Sequence, residues 1–206
     1  MAYPTVSAPY GLIPVNLLGG QVFSGSTRQI PIQTAHGTSI YFGDVVLMSS
    51  NGCITTAVLT ASTVNVVGIF MGCSYINSSS QRVYGQYYPA LTTGTPDTAS
   101  AIVAYVADDP DLVMKAAIVS GTTTVAQATR GTMVGGNAAL VPNAGSNTTG
   151  DSAFAVLNST AATAALPVKV VDVVPDTAPA TGSFVEVLVA WNQGIHQYRL
   201  ATGVYG

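Results

Sequence analysis

The chain has 206 residues, nearly half of them hydrophobic, with six Lys/Arg against nine Asp/Glu and a net charge of −3. Charged residues make up only 7% of it, against about a quarter in an ordinary soluble protein, so Thr, Ser, Asn, Gln and Gly or another protein must cover its surface. The six basic residues, Arg28, Arg82, Lys115, Arg130, Lys169 and Arg199, are scattered singly, which argues against nucleic-acid binding. No apolar run is long enough for a membrane-spanning helix. Weak mutual repulsion favours association with other chains. A Thr/Ser-covered extracellular or thermally robust β-protein would share this composition. The opening Met-Ala-Tyr-Pro-Thr-Val lacks the charged and apolar regions of a secretory signal, so synthesis in the cytoplasm is expected.

In chain order, residues 1–14 read as an extended arm. Pro4, Pro9 and Pro14 recur every five residues and break any helix, while Tyr3, Val6, Tyr10 and Leu12 supply apolar anchors between them. Residues 15–206 read as one β-rich domain of short runs separated by turns. Strands are expected at 28–33, 39–50, 53–58 and 63–72. Asn51-Gly52 is a strong hairpin cue, since both residues tolerate positive φ. The last three runs predict an antiparallel meander, with Gly68 marking a bulge or tight bend. Further strands are expected at 81–90, 101–107, 112–119, 166–174 and 183–191, where a single Glu186 sits among apolar residues. Residues 121–165 are rich in Thr, Ala, Gly and Asn and predict long loops at 135–137 and 143–150. The only helical candidate, Ser159–Ala165, spans one or two turns. Eight to eleven strands therefore predict an all-β fold, an antiparallel β-barrel or sandwich with an extended N-terminal arm and long Thr/Ala/Gly-rich loops.

Residues for chemistry are scarce. His36 and His196 lie in no nucleophile elbow or zinc-ligand spacing and read as hydrogen-bonded histidines at strand ends. Asp108-Asp109-Pro110-Asp111 lacks the Gly and distal Glu of a calcium loop. It reads as a turn whose Asp side chains cap backbone amides. Cys53 and Cys73 are too few for a metal site or a disulfide framework. A hairpin about residues 59–62 would set Cys53 against Gly68, predicting two reduced, buried thiols. Trp191 and the cluster Tyr84, Tyr87 and Tyr88 suit glycan stacking, but cross-strand packing is the preferred reading. No set of residues stands out to carry a reaction, so no catalytic residue, metal or cofactor is expected.

Three stretches resemble a family of small structural proteins encoded in tailed-phage genomes. Ser7-Ala8-Pro9-Tyr10-Gly11-Leu12-Ile13-Pro14-Val15 is similar to that family's opening box. Ala104-Tyr105-Val106-Ala107-Asp108-Asp109-Pro110-Asp111-Leu112-Val113 is similar to its central box, with the acidic cluster as a turn between two strands. Leu166–Val171, Val187–Val189 and Ile195–Tyr198 are similar to its last strands and terminal His-x-Tyr. Together they span most of the chain in the family's order. One departure is Val174–Pro179, where the family often carries an Arg-Pro-Asp-Asn-like turn. The resemblance implies a non-enzymatic virion protein, and within that class a capsid decoration (cement) protein on the outside of the phage head. Its partners would be the major capsid protein and further copies of itself, as a homotrimer. Tyr3, Pro4, Val6, Pro9, Tyr10 and Leu12 of the arm would then clamp the shell or a neighbouring copy. The rival readings are another virion part (neck, tail or head-fibre base) and a carbohydrate-binding or adhesin module.

Overall fold

The computed structural model describes residues 5–33, 36–49, 51–56, 66–77, 79–90, 102–177 and 182–200. Its strands, in chain order, are β1 (Ile13–Leu17), β2 (Arg28–Pro31), β3 (Val45–Met48), β4 (Ile54–Thr56), β5 (Gly68–Ile76) and β6 (Arg82–Gly85). They continue with β7 (Val103–Ala107), β8 (Leu112–Val119), β9 (Asn137–Val141), β10 (Ala155–Ala161), β11 (Val168–Val173) and β12 (Glu186–Trp191). One helical turn, α1 (Arg130–Met133), precedes β9, and a 3-10 turn, Gln197–Arg199, follows β12. The all-β class is as expected. The described residues hold twelve strands, more than the eight to eleven read from the sequence.

The later strands close a five-stranded barrel in the order β8-β10-β9-β11-β12, with β12 returning to β8. Four of its contacts are antiparallel, and β8 with β10 is parallel. The long connection carrying α1 and β9 makes that parallel pairing possible. β8 is the organising strand. One edge pairs with β12, while the other is shared by β1 over Leu112–Lys115 and by β10 at Ile118 and Val119. Its period of two sends Leu112, Met114, Ala116 and Ile118 into the central core, and Ala117 and Val119 to the outer face. β12 divides likewise, with Val187, Val189 and Trp191 facing inward.

The low-complexity region corrects the sequence reading most. Residues 121–165 build α1, β9 and β10, and the helical candidate Ser159–Ala165 begins as the end of β10. The physical reason is space. A five-stranded barrel is narrow, and Ala138, fully buried on β9, faces its core, where a small side chain suits close packing that larger residues would spread. Met133 of α1 joins the barrel core. The predicted loop at 143–150 does exist, but it is tied down. Phe42 N donates to the Gly150 carbonyl (3.0 Å), and Ser152 N donates to the Phe42 carbonyl (2.8 Å). Tyr41 stacks on Tyr87 with ring centres 5.7 Å apart, and only a glycine at 145 leaves that Tyr41 ring its place.

The earlier strands form the second sheet, β2-β7-β5-β3-β4, with β6 on β5 beside β3. A parallel bridge from Ile32 to Ile54 joins its two ends. The 51–52 hairpin is present, pairing Met48 with Ile54. Gly52 alone takes positive φ (76°), while the Asn51 side chain accepts from Cys53 N. The predicted meander order is wrong, because β3 lies between β4 and β5. Gly68 faces Val46, not Cys53. Gly68 also marks no bulge. A Cβ there would lie 2.1 Å from the Ala107 carbonyl oxygen, so glycine is required by the close approach of β7. The register break falls between Phe70 and Cys73, where Gly72 has φ 131°. Cys53 and Cys73 are free and buried, and burial pushes the Cys73 thiol up to about 12.

One cluster unites the two sheets. Val45, Ile69 and Ala107 from the second sheet, with Val66 just before β5, pack with the barrel residues in the central core. The second sheet keeps its own interior around Phe70, Ile32, Ile54 and Tyr88.

Candidate interaction surface

The outer face of β8 and β12 is apolar, and its two charges are of opposite sign. Ala117 and Val119 join Phe184 and Ala155 in a third buried cluster, while Lys115 and Glu186 stand among them on β8 and β12. A strand buried on both faces needs a cover on each. Here the cover is residues 5–12, which run without regular structure as a strap over the barrel. Val6 and Tyr10 pack on the cluster.

The strap is held at three points. Val6 N donates to Ser183 Oγ (2.7 Å), and the Val6 carbonyl accepts from Phe184 N (3.0 Å) and from Ser183 Oγ (3.1 Å). The Tyr10 hydroxyl donates to the Glu186 carboxylate. Lys115 Nζ lies 2.9 Å from the same carboxylate and 5.6 Å above the Tyr10 ring. Burial, with Glu186 beside it, holds the Tyr10 phenol well above the ordinary tyrosine range. The third point is the turn at Gly11, where Gly11 N donates to the Phe154 carbonyl (3.2 Å) and Leu12 N to that of Gly43 (3.0 Å). Gly11 has φ 86°, and a Cβ there would lie 2.7 Å from the Ser152 Cβ and 2.9 Å from the Gly43 carbonyl oxygen. Only glycine fits. A cleft of about 660 Å³ runs between the strap and Ala144, Ser146, Thr149 and Asp151.

The proposed arm residues thus divide. Leu12 is fully buried in the central core, an internal anchor with no surface to offer a partner. Val6, Pro9 and Tyr10 are half-buried, and Val6 and Tyr10 are engaged with their own barrel. Tyr3 and Pro4 lie outside the described residues. The boundary expected at residue 14 falls inside β1, which starts at Ile13. Sequence reasoning missed Lys115, Ser183, Phe184 and Glu186. The available signal was that both faces of 112–119 and 184–191 are apolar apart from one charge each.

The remaining candidates are accounted for inside the fold. Asp109 Oδ1 accepts from Asp111 N (2.8 Å), as the turn reading requires. Asp108 pairs with Arg28 (2.6 Å) and Asp111 with Arg199 (2.7 Å). His196 is buried, and its Nδ1 accepts from Tyr198 N to cap the 3-10 turn. His36 is half-buried near the Tyr88 ring. Burial lowers the pKa of both histidines. The tyrosine cluster is dispersed. Tyr88 is fully buried, Tyr87 stacks on Tyr41, and Tyr84 is 71% exposed opposite Ser74. Trp191 is buried in the core. Among the described residues no group of three or more His, Cys, Asp or Glu is placed to hold a metal ion, and no helix is long and apolar enough to cross a membrane.

Comparison with protein-family models, with curated proteins and with solved structures returns no match.

Proposed function

We propose that this chain is a non-enzymatic decoration (cement) protein of a tailed-phage head, bound outside the shell and bridging capsid subunits. The observation that carries the reading is where the three phage-like stretches fall. All of them meet on β8. The first forms the strap from Ser7 onward and the Gly11 turn, setting Tyr10 over Lys115. The second contains the β7–β8 connection, where the chain passes from the second sheet into the barrel. The third supplies β11 and β12, and β12 pairs with β8 over Val113–Ala117. Its terminal turn meets the acidic turn through Arg199–Asp111, and Tyr198 lies under the Arg28 guanidinium at 5.1 Å. A motif set dispersed in sequence but joined at one strand is what a family's structural core requires.

The physics suits the role. A weakly charged surface lowers the cost of packing against neighbours. A rigid scaffold that touches several subunits at once gains at each further contact, because each becomes intramolecular. Its partners in this reading are the major capsid protein and two further copies of the chain.

Cryo-electron microscopy of the intact virion tests the proposal. The expected result is density at many local symmetry axes outside the shell, with a copy number approaching that of the capsid protein. A few copies at one vertex or along the tail would overturn it in favour of a neck, tail or fibre-base part. Retention of isolated protein on a glycan surface, lost in Tyr84→Ala, would overturn it in favour of a carbohydrate-binding module.

A further inference from the structure

We propose that the cleft at the end of the barrel where β12 stops and β8 and β11 begin binds a carboxylate carried on a short apolar body. The proposal goes beyond the decoration reading and stands without it.

The cleft has a volume of about 470 Å³, within the range of about 300–1,000 Å³ usual for small-ligand sites. Strand pairing assembles it. Lys169 on β11 pairs with Ala190 on β12, and Ala190 pairs with Val113 on β8. Lys169 and Trp191 thereby line one cleft with the acidic turn that precedes β8. The ion pair between Asp111 and Arg199 (2.7 Å) brings in the end of the 3-10 turn.

Three donors there lack a full set of acceptors. Lys169 is exposed, and among the described residues it has no ion pair or hydrogen bond. The other five basic side chains are all engaged. Arg28, Lys115, Arg130 and Arg199 each meet a carboxylate, and Arg82 donates to the Ser74 hydroxyl. Trp191 is 6% exposed, and its indole Nε1–H is buried with no acceptor among the described residues. A buried donor left unpaired is destabilising, so it points to an acceptor from outside the chain. Arg199 uses one amino group on Asp111, and its planar guanidinium has further N–H donors.

Charge selects the ligand. Lys169 and Arg199 are positive and Asp111 is negative. His196 also lines the cleft, but burial lowers its pKa from the ordinary 6.5, so the ring is neutral at pH 7. The single positive charge left over balances one carboxylate and only half of a phosphate dianion. Leu18, 52% exposed, and Pro110 line the same cleft and offer apolar surface to the acid's carbon chain. A free organic acid and the terminal carboxylate of a polypeptide share this chemistry.

Trp191 is the only tryptophan in the chain, so the emission of the purified full-length protein reads this cleft directly. Titration with hexanoate should shift it saturably, with half-saturation on the order of 1 mM. Calorimetry repeats the titration and reads binding that leaves the emission unchanged. Hexanamide, similar in shape but uncharged, should bind at least about tenfold more weakly. Lys169→Met keeps most of the stem at an exposed position, so the emission of the free protein should not change. Hexanoate binding should fall about tenfold in this variant and recover in Lys169→Arg. A tripeptide ending in a free leucine carboxylate that binds more tightly than hexanoate, with the gain lost on amidation, would identify a polypeptide ligand. Binding of hexanoate without the peptide would identify a free acid. The proposal is overturned if neither probe binds, if hexanamide matches hexanoate, if Lys169→Met binds hexanoate like wild type, or if inorganic phosphate binds more tightly than either probe. The virion plays no part in this experiment, so its outcome is separate from the fate of the decoration reading.

Discussion

The barrel and the second sheet deal with their edges in different ways. The barrel removes them, since β12 and β8 pair over five consecutive positions and close the ring. Among the described residues, the second sheet joins its two ends by one bridge, Ile32 to Ile54, and β6 pairs on one side only. The barrel then meets a problem the second sheet lacks. Its central strand is apolar on both faces, and the outer face has to be covered by the strap. The second sheet instead turns one face toward the barrel through Val45, Ile69 and Ala107 and packs the other around Phe70. The lesson is that closure satisfies the backbone but not the side chains. Covering the side chains recruits a segment from the far end of the chain.

The contrast is open to attack by substitution. The largest effect is expected from Phe70→Ala, in the second sheet's own interior, and Met114→Ala, in the shared core. The first should cost about 3–5 kcal/mol and the second about 2–5 kcal/mol, read from urea denaturation. Because Val45, Ile69 and Ala107 belong to the barrel's core, both variants should still unfold in one transition. Two separated transitions would show that the sheets are independent. Gly68→Ala forces a Cβ against the Ala107 carbonyl where β5 and β7 meet, at a cost of roughly 3 kcal/mol.

Asp44 lends itself to a pH test. It is 3% exposed, and burial raises its pKa from 3.8 to about 6, although Tyr41 N and Ser152 hydrogen-bond its carboxylate. The folded state therefore holds a proton that the unfolded state has released between these values. Stability from this group is present below pH 3.8 and is lost as pH rises toward 6. Asp44→Asn should remove that dependence, so relative to wild type it gains roughly 2–3 kcal/mol between about pH 3.5 and about pH 7. Parallel melting curves at the two pH values check it, and an unchanged difference would refute it.

Glu186→Gln weakens the Lys115 pair and the Tyr10 clamp while keeping an acceptor, with an expected loss of about 1–2 kcal/mol. Faster cleavage within residues 5–10 by a protease would show that the loss lies in the strap. The smallest effect is expected from Arg28→Ala. Its pair with Asp108 has the Arg28 side chain 62% exposed, so less than about 1 kcal/mol should be lost, and less still in high salt.

Composition and short-range pattern determined the all-β class, the 51–52 hairpin, the acidic turn and β8 to the residue, because each depends on alternation or turn chemistry within ten positions. They also indicated buried, unpaired cysteines and a chain with sparse surface charge. Tertiary structure alone decided the rest. The Ala- and Thr-rich region 121–165 became α1, β9 and β10 because a few separated residues, Met133, Ala138, Leu140 and Val156, fill the barrel core, and so sparse a set shows no period to read. β3 lies between β4 and β5 because Val46 pairs with Thr56 on one side and with Gly68 on the other, and the second partner is 22 positions away. The strap's partners Ser183, Phe184 and Glu186 are farther still. Local sequence records that the outer face of β8 needs a cover, but only the closed barrel brings residues 5–12 to it, since long-range contacts depend on the whole topology.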